Sequence, residues 1–152
     1  MNREILKHPN PLLKKRSEEV GEISQELLDL ASDMIETMNS NRGVGLAAPQ
    51  IGVSKRIIVV DDGNGPLIFF NPRISKKSWK KEIMEEGCLS LPGYSLRISR
   101  PKEIELEFVD EKGKKTRIKT EGLLARIIQH ETDHLDGTLL LDRINFWQKL
   151  WT

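Results

Sequence analysis

Near its C-terminal end the chain reads Gln129-His130-Glu131-Thr132-Asp133-His134, and this hexapeptide constrains the fold more than any other segment. Two histidines four residues apart lie about 40° apart around an α-helix and one turn along it, so both imidazoles can face one metal ion. The flanking sequence supports a helix over residues 122–136. Leu123, Leu124, Ile127 and Ile128 recur at helical spacing, and Gly137 offers a stop. Leu123 and Ile127 continue the histidine stripe, which puts His130 and His134 on the buried face, where polar groups need partners. Glu131, next to the first histidine, is set to reach a metal-bound water rather than the metal. The alternative for the pair is two core histidines hydrogen-bonded to backbone.

A catalytic metal takes three protein ligands and keeps one position open. After His134 only 18 residues remain, and they hold no His and no Glu. A helix would turn Asp136 elsewhere, and Asp142 reads as a surface or ion-pairing residue. Upstream stands the only cysteine, Cys88, within Glu86-Gly87-Cys88-Leu89-Ser90. A loop position between Gly87 and a Ser-Leu-Pro-Gly turn is an unnatural place for a core thiol, so Cys88 is the expected third ligand. His8, before Pro9, reads as structural or exposed.

Composition narrows the remaining classes. With 152 residues the expectation is one domain over 1–152, large enough to bury a core without a disulfide. A single cysteine fits a reducing, cytoplasmic setting. Twenty-four Lys and Arg against 23 Asp and Glu give a net charge of +1, which excludes bulk electrostatic binding to DNA. No apolar run approaches the roughly 18 residues of a membrane span, and the start, MNREILKHPNP, has no apolar segment of signal-peptide length.

The rest of the chain reads as α+β. An amphipathic helix is expected over residues 22 to about 40, capped by Ser24, with Leu27, Ala31, Met34 and Met38 inward and Asp29, Asp33 and Glu36 in solvent. Gly43-Val44-Gly45-Leu46-Ala47-Ala48-Pro49-Gln50 then reads as a loop whose small residues let other groups approach the backbone. Strands are expected at 56–60 and at 67–70, the second closed by Asn71-Pro72. Ile104, Leu106 and Phe108 alternate with Glu103, Glu105 and Glu107 as in a half-exposed strand, with a turn at 110–113 and a return strand at 116–120.

Three segments, 43–50, 86–90 and 129–134, resemble in order the motifs of the peptide deformylase family. The likeness extends over nearly the whole chain, including Pro9, Pro11, Leu12 and Lys14 at the start and Asn71-Pro72. It implies antiparallel β-sheets packed around a central C-terminal helix that carries the HExxH motif. It also implies removal of the N-formyl group from the initiator formyl-methionine of nascent peptides, with release of formate. Cys88, His130 and His134 would hold the metal, most often Fe2+, with Zn2+, Ni2+ or Co2+ as substitutes. Metal-bound hydroxide would attack the formyl carbon while Glu131 shuttles the proton to the departing amine. The Gln50 amide and the Leu89 backbone N–H would stabilise the developing oxyanion.

The resemblance further implies an extended peptide lying along the Val44 and Gly45 backbone. Val44, Leu89, Leu123 and Ile127 are candidates for an apolar methionine pocket. Arg126 faces the pocket rim or solvent, and Glu86 and Arg100 are expected to pair and fix the Cys88 loop. The protein is expected to be a monomer. Its basic stretch of Lys112, Lys114, Lys115, Arg117 and Lys119 reads as a solvated face, or else as a transient contact with ribosomal RNA. Many members carry a longer C-terminal tail, so a tail that docks the ribosome is expected to be short here. Two other readings share the HExxH: a zinc endopeptidase that does not need Cys88, and a metal-stabilised binding module that does not need Glu131.

Overall fold

Leu27, Ala31, Met34 and Met38 recur at three and four residues, and in the computed structural model, which describes residues 1–144, all four are buried on one face of helix α1 (Gln25–Ser40). Ser24 caps the helix by accepting from Leu27 N–H at 3.3 Å. The chain turns at Arg42, φ 56°, and Gly43 N–H returns to Met38 O at 2.9 Å. Asp33 is half-buried and paired: it accepts from the N-terminal amine at 2.6 Å and from Arg3 at 2.9 Å, tying the chain start to α1.

Seven strands follow among the described residues: β1 (Gly45–Ala47), β2 (Ile57–Val60), β3 (Leu67–Lys77), β4 (Lys81–Cys88), β5 (Leu91–Pro101), β6 (Glu103–Val109) and β7 (Lys115–Glu121). An antiparallel sheet runs β1-β2-β3-β6-β7, and β4 and β5 form a separate two-stranded hairpin. Helix α2 (Gly122–Leu135) packs between them. The alternation of β2 explains the layering, because successive side chains of a strand point to opposite faces. Ile57 and Val59 join the core against α1, while Ile58 and Val60 join the core that includes Ala125, Ile127, Ile128 and Leu135 of α2. A third apolar cluster, with Leu96, Ile98, Leu140 and Ile144, ties the hairpin to the segment after α2. The architecture is α+β, with antiparallel sheets around the HExxH helix.

Several local expectations are corrected. Residues 43–50 are not simply a loop, since they hold β1 and most of a 3-10 turn (Ala48–Ile51). The strand expected to close at Asn71-Pro72 runs on to Lys77. Asn71 enters the left-handed region at φ 49°, the register shifts there, and its side chain bonds Val20 N–H and O, each at 2.8 Å. Proline is tolerated in such a bulge because no ladder bond is asked of its nitrogen. Glu105 is buried rather than solvated, its carboxylate lying between Lys76 Nζ at 3.7 Å and Lys119 Nζ at 3.6 Å. Arg117 pairs with Glu107 at 2.5 Å, so part of the basic stretch is neutralised within the sheet.

Candidate metal centre and active site

Helix α2 starts and stops where its sequence periodicity does, and its end is held from outside. Arg56 donates to Leu135 O at 3.0 Å and to Asp136 at 2.8 Å, satisfying a carbonyl that the helix leaves unpaired. Gly137 follows at φ 74°, with Lys14 O so close that no side chain fits. This fixes the inward face that presents His130, Glu131 and His134.

Cys88 reaches the same place from the other side. It lies at the end of β4, not in a loop, and Gly87 beside it falls at the register shift where β4 and β5 diverge. Cys88 Sγ is 3.2 Å from His134 Nε2, and one ligand atom each from Cys88, His130 and His134 lie within 4.8 Å of one another. A thiolate and two imidazoles at that spacing suit one tetrahedral ion.

The orientation of His130 comes from Glu86. His130 Nδ1 lies 2.9 Å from Glu86 Oε1, an acceptor that holds a proton on Nδ1 and so reserves Nε2 for a metal. Glu86 also accepts from Arg100 Nε at 2.6 Å and Nη2 at 2.9 Å, and from Arg126 Nη1. The expected Glu86–Arg100 pair therefore exists, within a larger buried network. Asp133 adds to it, accepting from Arg100 at 2.9 Å and from Arg143 at 2.6 Å. Arg126 is not turned to solvent. It is buried and also donates to Ile98 O at 3.0 Å and Glu82 O at 2.6 Å, pinning the hairpin to α2. Buried charges of this kind need partners, and both oxygens of Glu86 and all three guanidinium nitrogens of Arg100 have them.

These surroundings set the protonation of the site. Burial pushes the Glu86 carboxyl up, but bonds from His130 and Arg100 outweigh it and hold the group down at about 2. Against burial, the Glu131 charge and the contacts with Cys88 and Glu86 raise His130 well above its ordinary range until a metal takes Nε2. Burial, with the charges of His130 and Arg100, presses His134 down to about 3, so the His134 ring stays neutral and able to ligate. Burial also pushes Glu131 up to about 7, in the range where a carboxyl can both take and give a proton.

Glu131 Oε1 is buried and has no partner among the described residues. The group lines a cavity of about 430 Å³ whose wall also includes Cys88, His130 and Gln50. Strand β1 passes so close to Glu131 that a Cβ on Gly45 would lie 2.5 Å from Oε2, and a Cβ on Gly43 would lie 2.7 Å from Leu89 Cδ1. A side chain at position 45 would displace the Glu131 carboxylate, whereas one at position 43 meets the flexible end of Leu89. Gln50 is fully buried, accepts from Ala47 N–H at 2.9 Å, and turns its Nε2 toward Ser90 Oγ at 3.1 Å and Cys88 Sγ at 3.7 Å.

The residues expected at the site line this cavity except His134, which stands behind Cys88 and faces a second, smaller cavity. Gly45, Leu89 and Ile127 line the first, and Val44 and Leu123 stand at its mouth, 52% and 49% exposed. Leu123 thus shares the histidine face without being core. Met84 and Tyr94 were not anticipated, because they belong to a hairpin whose strands show little apolar alternation. The buried role of Asp133 was also missed. Its place in the helix, three residues after His130, was the available signal.

Comparison with known proteins adds an independent finding. The polypeptide deformylase family model matches residues 2–150. The chain is 48% identical over 141 residues to the peptide deformylase of Clostridium botulinum (strain Alaska E43 / Type E3), covering 93% of this chain and 95% of that one. It is 47% identical over 138 residues to that of Picosynechococcus sp., covering 88% and 74%. The crystal structure of peptide deformylase from Thermotoga maritima superposes with a TM-score of 0.93 at 41% identity, covering 95% of this chain and 99% of that one. The Ehrlichia chaffeensis peptide deformylase in complex with actinonin gives 0.93 at 40% identity, covering 99% and 92%.

Proposed function

The chain belongs to the polypeptide deformylase family, and from that premise we propose that it removes the formyl group from N-formylmethionyl nascent peptides. One observation carries the reading: ligand atoms of Cys88, His130 and His134 lie within 4.8 Å of one another, and Cys88 and His130 line a cavity together with Glu131, whose buried Oε1 has no partner among the described residues. Cys88, His130 and His134 hold the metal. Iron(II) is the proposed ion, with zinc, nickel or cobalt able to take the same donors. When bound, the ion supplies Lewis acidity, lowering the pKa of a water toward about 7 and polarising the formyl carbonyl.

Glu131 accepts the proton of the attacking water and passes it to the amine as the C–N bond breaks and formate leaves. The Gln50 amide and the Leu89 N–H stabilise the oxygen that becomes negative. What supports Gln50 in this role is its Nε2 beside Cys88 Sγ on the cavity wall. The peptide lies extended along β1, which is the edge strand of the sheet and contributes Gly45 to the cavity, with Val44 just before it. Val44, Leu89, Leu123 and Ile127 receive the methionine side chain, whose burial contributes about 2–3 kcal/mol.

The whole chain acts as one catalytic domain, monomeric and cytoplasmic, and meets the ribosome transiently. Among the described residues no helix is long and apolar enough to cross a membrane. Of the basic stretch, Lys112, Lys114 and Lys115 make no ion pair among the described residues, which supports them as the ribosome contact. The experiment is anaerobic purification, metal analysis and an assay of formate release from formyl-Met-Ala-Ser. Formate released in proportion to bound iron is expected, and none with iron, nickel or cobalt bound overturns the proposal.

A further inference from the structure

The first residues of the chain lie against the back of the site. Leu6 N–H donates to Gln50 O at 2.7 Å, His8 N–H to Ser90 O at 2.7 Å, and Lys7 Nζ to Leu89 O at 3.1 Å. Three consecutive residues thus hold the two elements that carry Gln50 and Leu89. Behind His134 this packing encloses a cavity of about 10 Å³, bounded by His8, Leu13, Cys88, Ser90, His134 and Leu140. That is the room one water needs, about 10–15 Å³ on this measure.

Two ring nitrogens, His8 Nδ1 and His134 Nδ1, are buried without a partner among the described residues, and both rings line this cavity. The two histidine ligands are consequently unequal. His130 Nδ1 has Glu86 as its acceptor, whereas His134 meets no acceptor within the described residues. Buried polar groups are almost always satisfied by protein or by an ordered water.

We propose that one water occupies this cavity and joins His134 Nδ1 to His8 Nδ1, making His8 a positioning residue for the metal ligand His134. For Nε2 to present a lone pair beside Cys88 Sγ, His134 must carry its proton on Nδ1. The water accepts that N–H and donates one of its own hydrogens to His8 Nδ1, which leaves the His8 proton on Nε2. No covalent bond changes; the water fixes the tautomer and the tilt of the ring, as Glu86 does for His130. The inference rests on the metal reading of Cys88, His130 and His134.

Zinc-loaded full-length protein tests it, with affinity measured by competition against a chromophoric chelator. His8→Ala is expected to weaken zinc binding 10- to 100-fold. His8→Asn, which returns an acceptor to the place of Nδ1, is expected to recover most of the loss. In cobalt(II)-substituted protein the d–d bands should shift in His8→Ala and return in His8→Asn, which a loss of packing alone would not produce. A crystal structure of the zinc form is expected to show one ordered water between the two rings. Wild-type affinity in His8→Ala, equal weakening in both variants, or no water between the rings overturns the proposal. A wild-type protein that binds no zinc overturns the metal reading instead, and this inference with it.

Discussion

Gly45→Ala asks whether the placement of one carboxylate sets the turnover. The added Cβ would lie 2.5 Å from Glu131 Oε2, 2.8 Å from its Cγ and 2.9 Å from its Cδ, where ordinary contact begins near 3.4 Å. The closest pair must therefore separate by 3.4 − 2.5, about 0.9 Å. β1 cannot yield easily, since Gly45, Leu46 and Ala47 pair in register with Val60, Val59 and Ile58, and α2 is buried along the facing side. The side chain of Glu131 moves instead. A displacement near 1 Å in a catalytic group costs about 100-fold in rate, or about 2.7 kcal/mol of barrier. The expected result is kcat for formate release reduced about 100-fold, with a full complement of metal, because no ligand of Cys88, His130 or His134 is touched. Glu131→Asp, shorter by one methylene, should lose less in the Gly45→Ala background than alone, a coupling that a double-mutant cycle measures. Wild-type kcat in metal-loaded Gly45→Ala would falsify the reasoning.

Other expectations follow from the same geometry. Gln50→Leu should lower kcat by about 100-fold with little change in KM, as loss of an oxyanion donor does; an unchanged kcat removes Gln50 from that role. Cys88→Ala should lose both metal and formate release, and retention of both would favour an endopeptidase-like site built on the two histidines alone. Glu86 gives a pH dependence. Its carboxyl is held at about 2 against an ordinary 4.5, so its stabilisation is complete above about 4.5 and is lost as pH falls through about 2. That contribution is about 3 kcal/mol. Denaturant unfolding of chelator-treated protein should show this acid loss in the wild type, and Glu86→Gln, though less stable at pH 7, should show a flatter profile.

How much of this was legible in the sequence varies by element. Both helices were readable because their inward residues repeat at three and four, and their ends carry Ser24 and Gly137. The clustering of Cys88, His130 and His134 was readable because the chain has one cysteine and three histidines, which leaves few combinations. The β4–β5 hairpin was not, because its inward row reads Glu86, Leu96, Ile98 and Arg100, and charges at inward positions hide the alternation. Arg126 does line the cavity, one of the two places expected for it, but its burial was hidden for a related reason. A charged helix residue ordinarily faces water, and only the three-dimensional meeting with Glu86, Ile98 and Glu82 gives it a reason to be inside. The continuation of β3 past Pro72 depends on Val20, fifty-one residues earlier in sequence, which no local pattern reports.

The central sheet also divides the molecule by consequence. One face carries Ala31, Met34 and Met38 of α1, with Leu89 packed at the margin of that cluster, while the other face sets the position of α2. Substitutions on separated sites add independently, and methionine-rich packing accommodates change with little penalty. The part of α1 away from Leu89 and Gly43 is thus where substitutions can change the melting temperature with least effect on the chemistry across the sheet. Stability and turnover, often opposed in one core, are here written on opposite faces of a single layer.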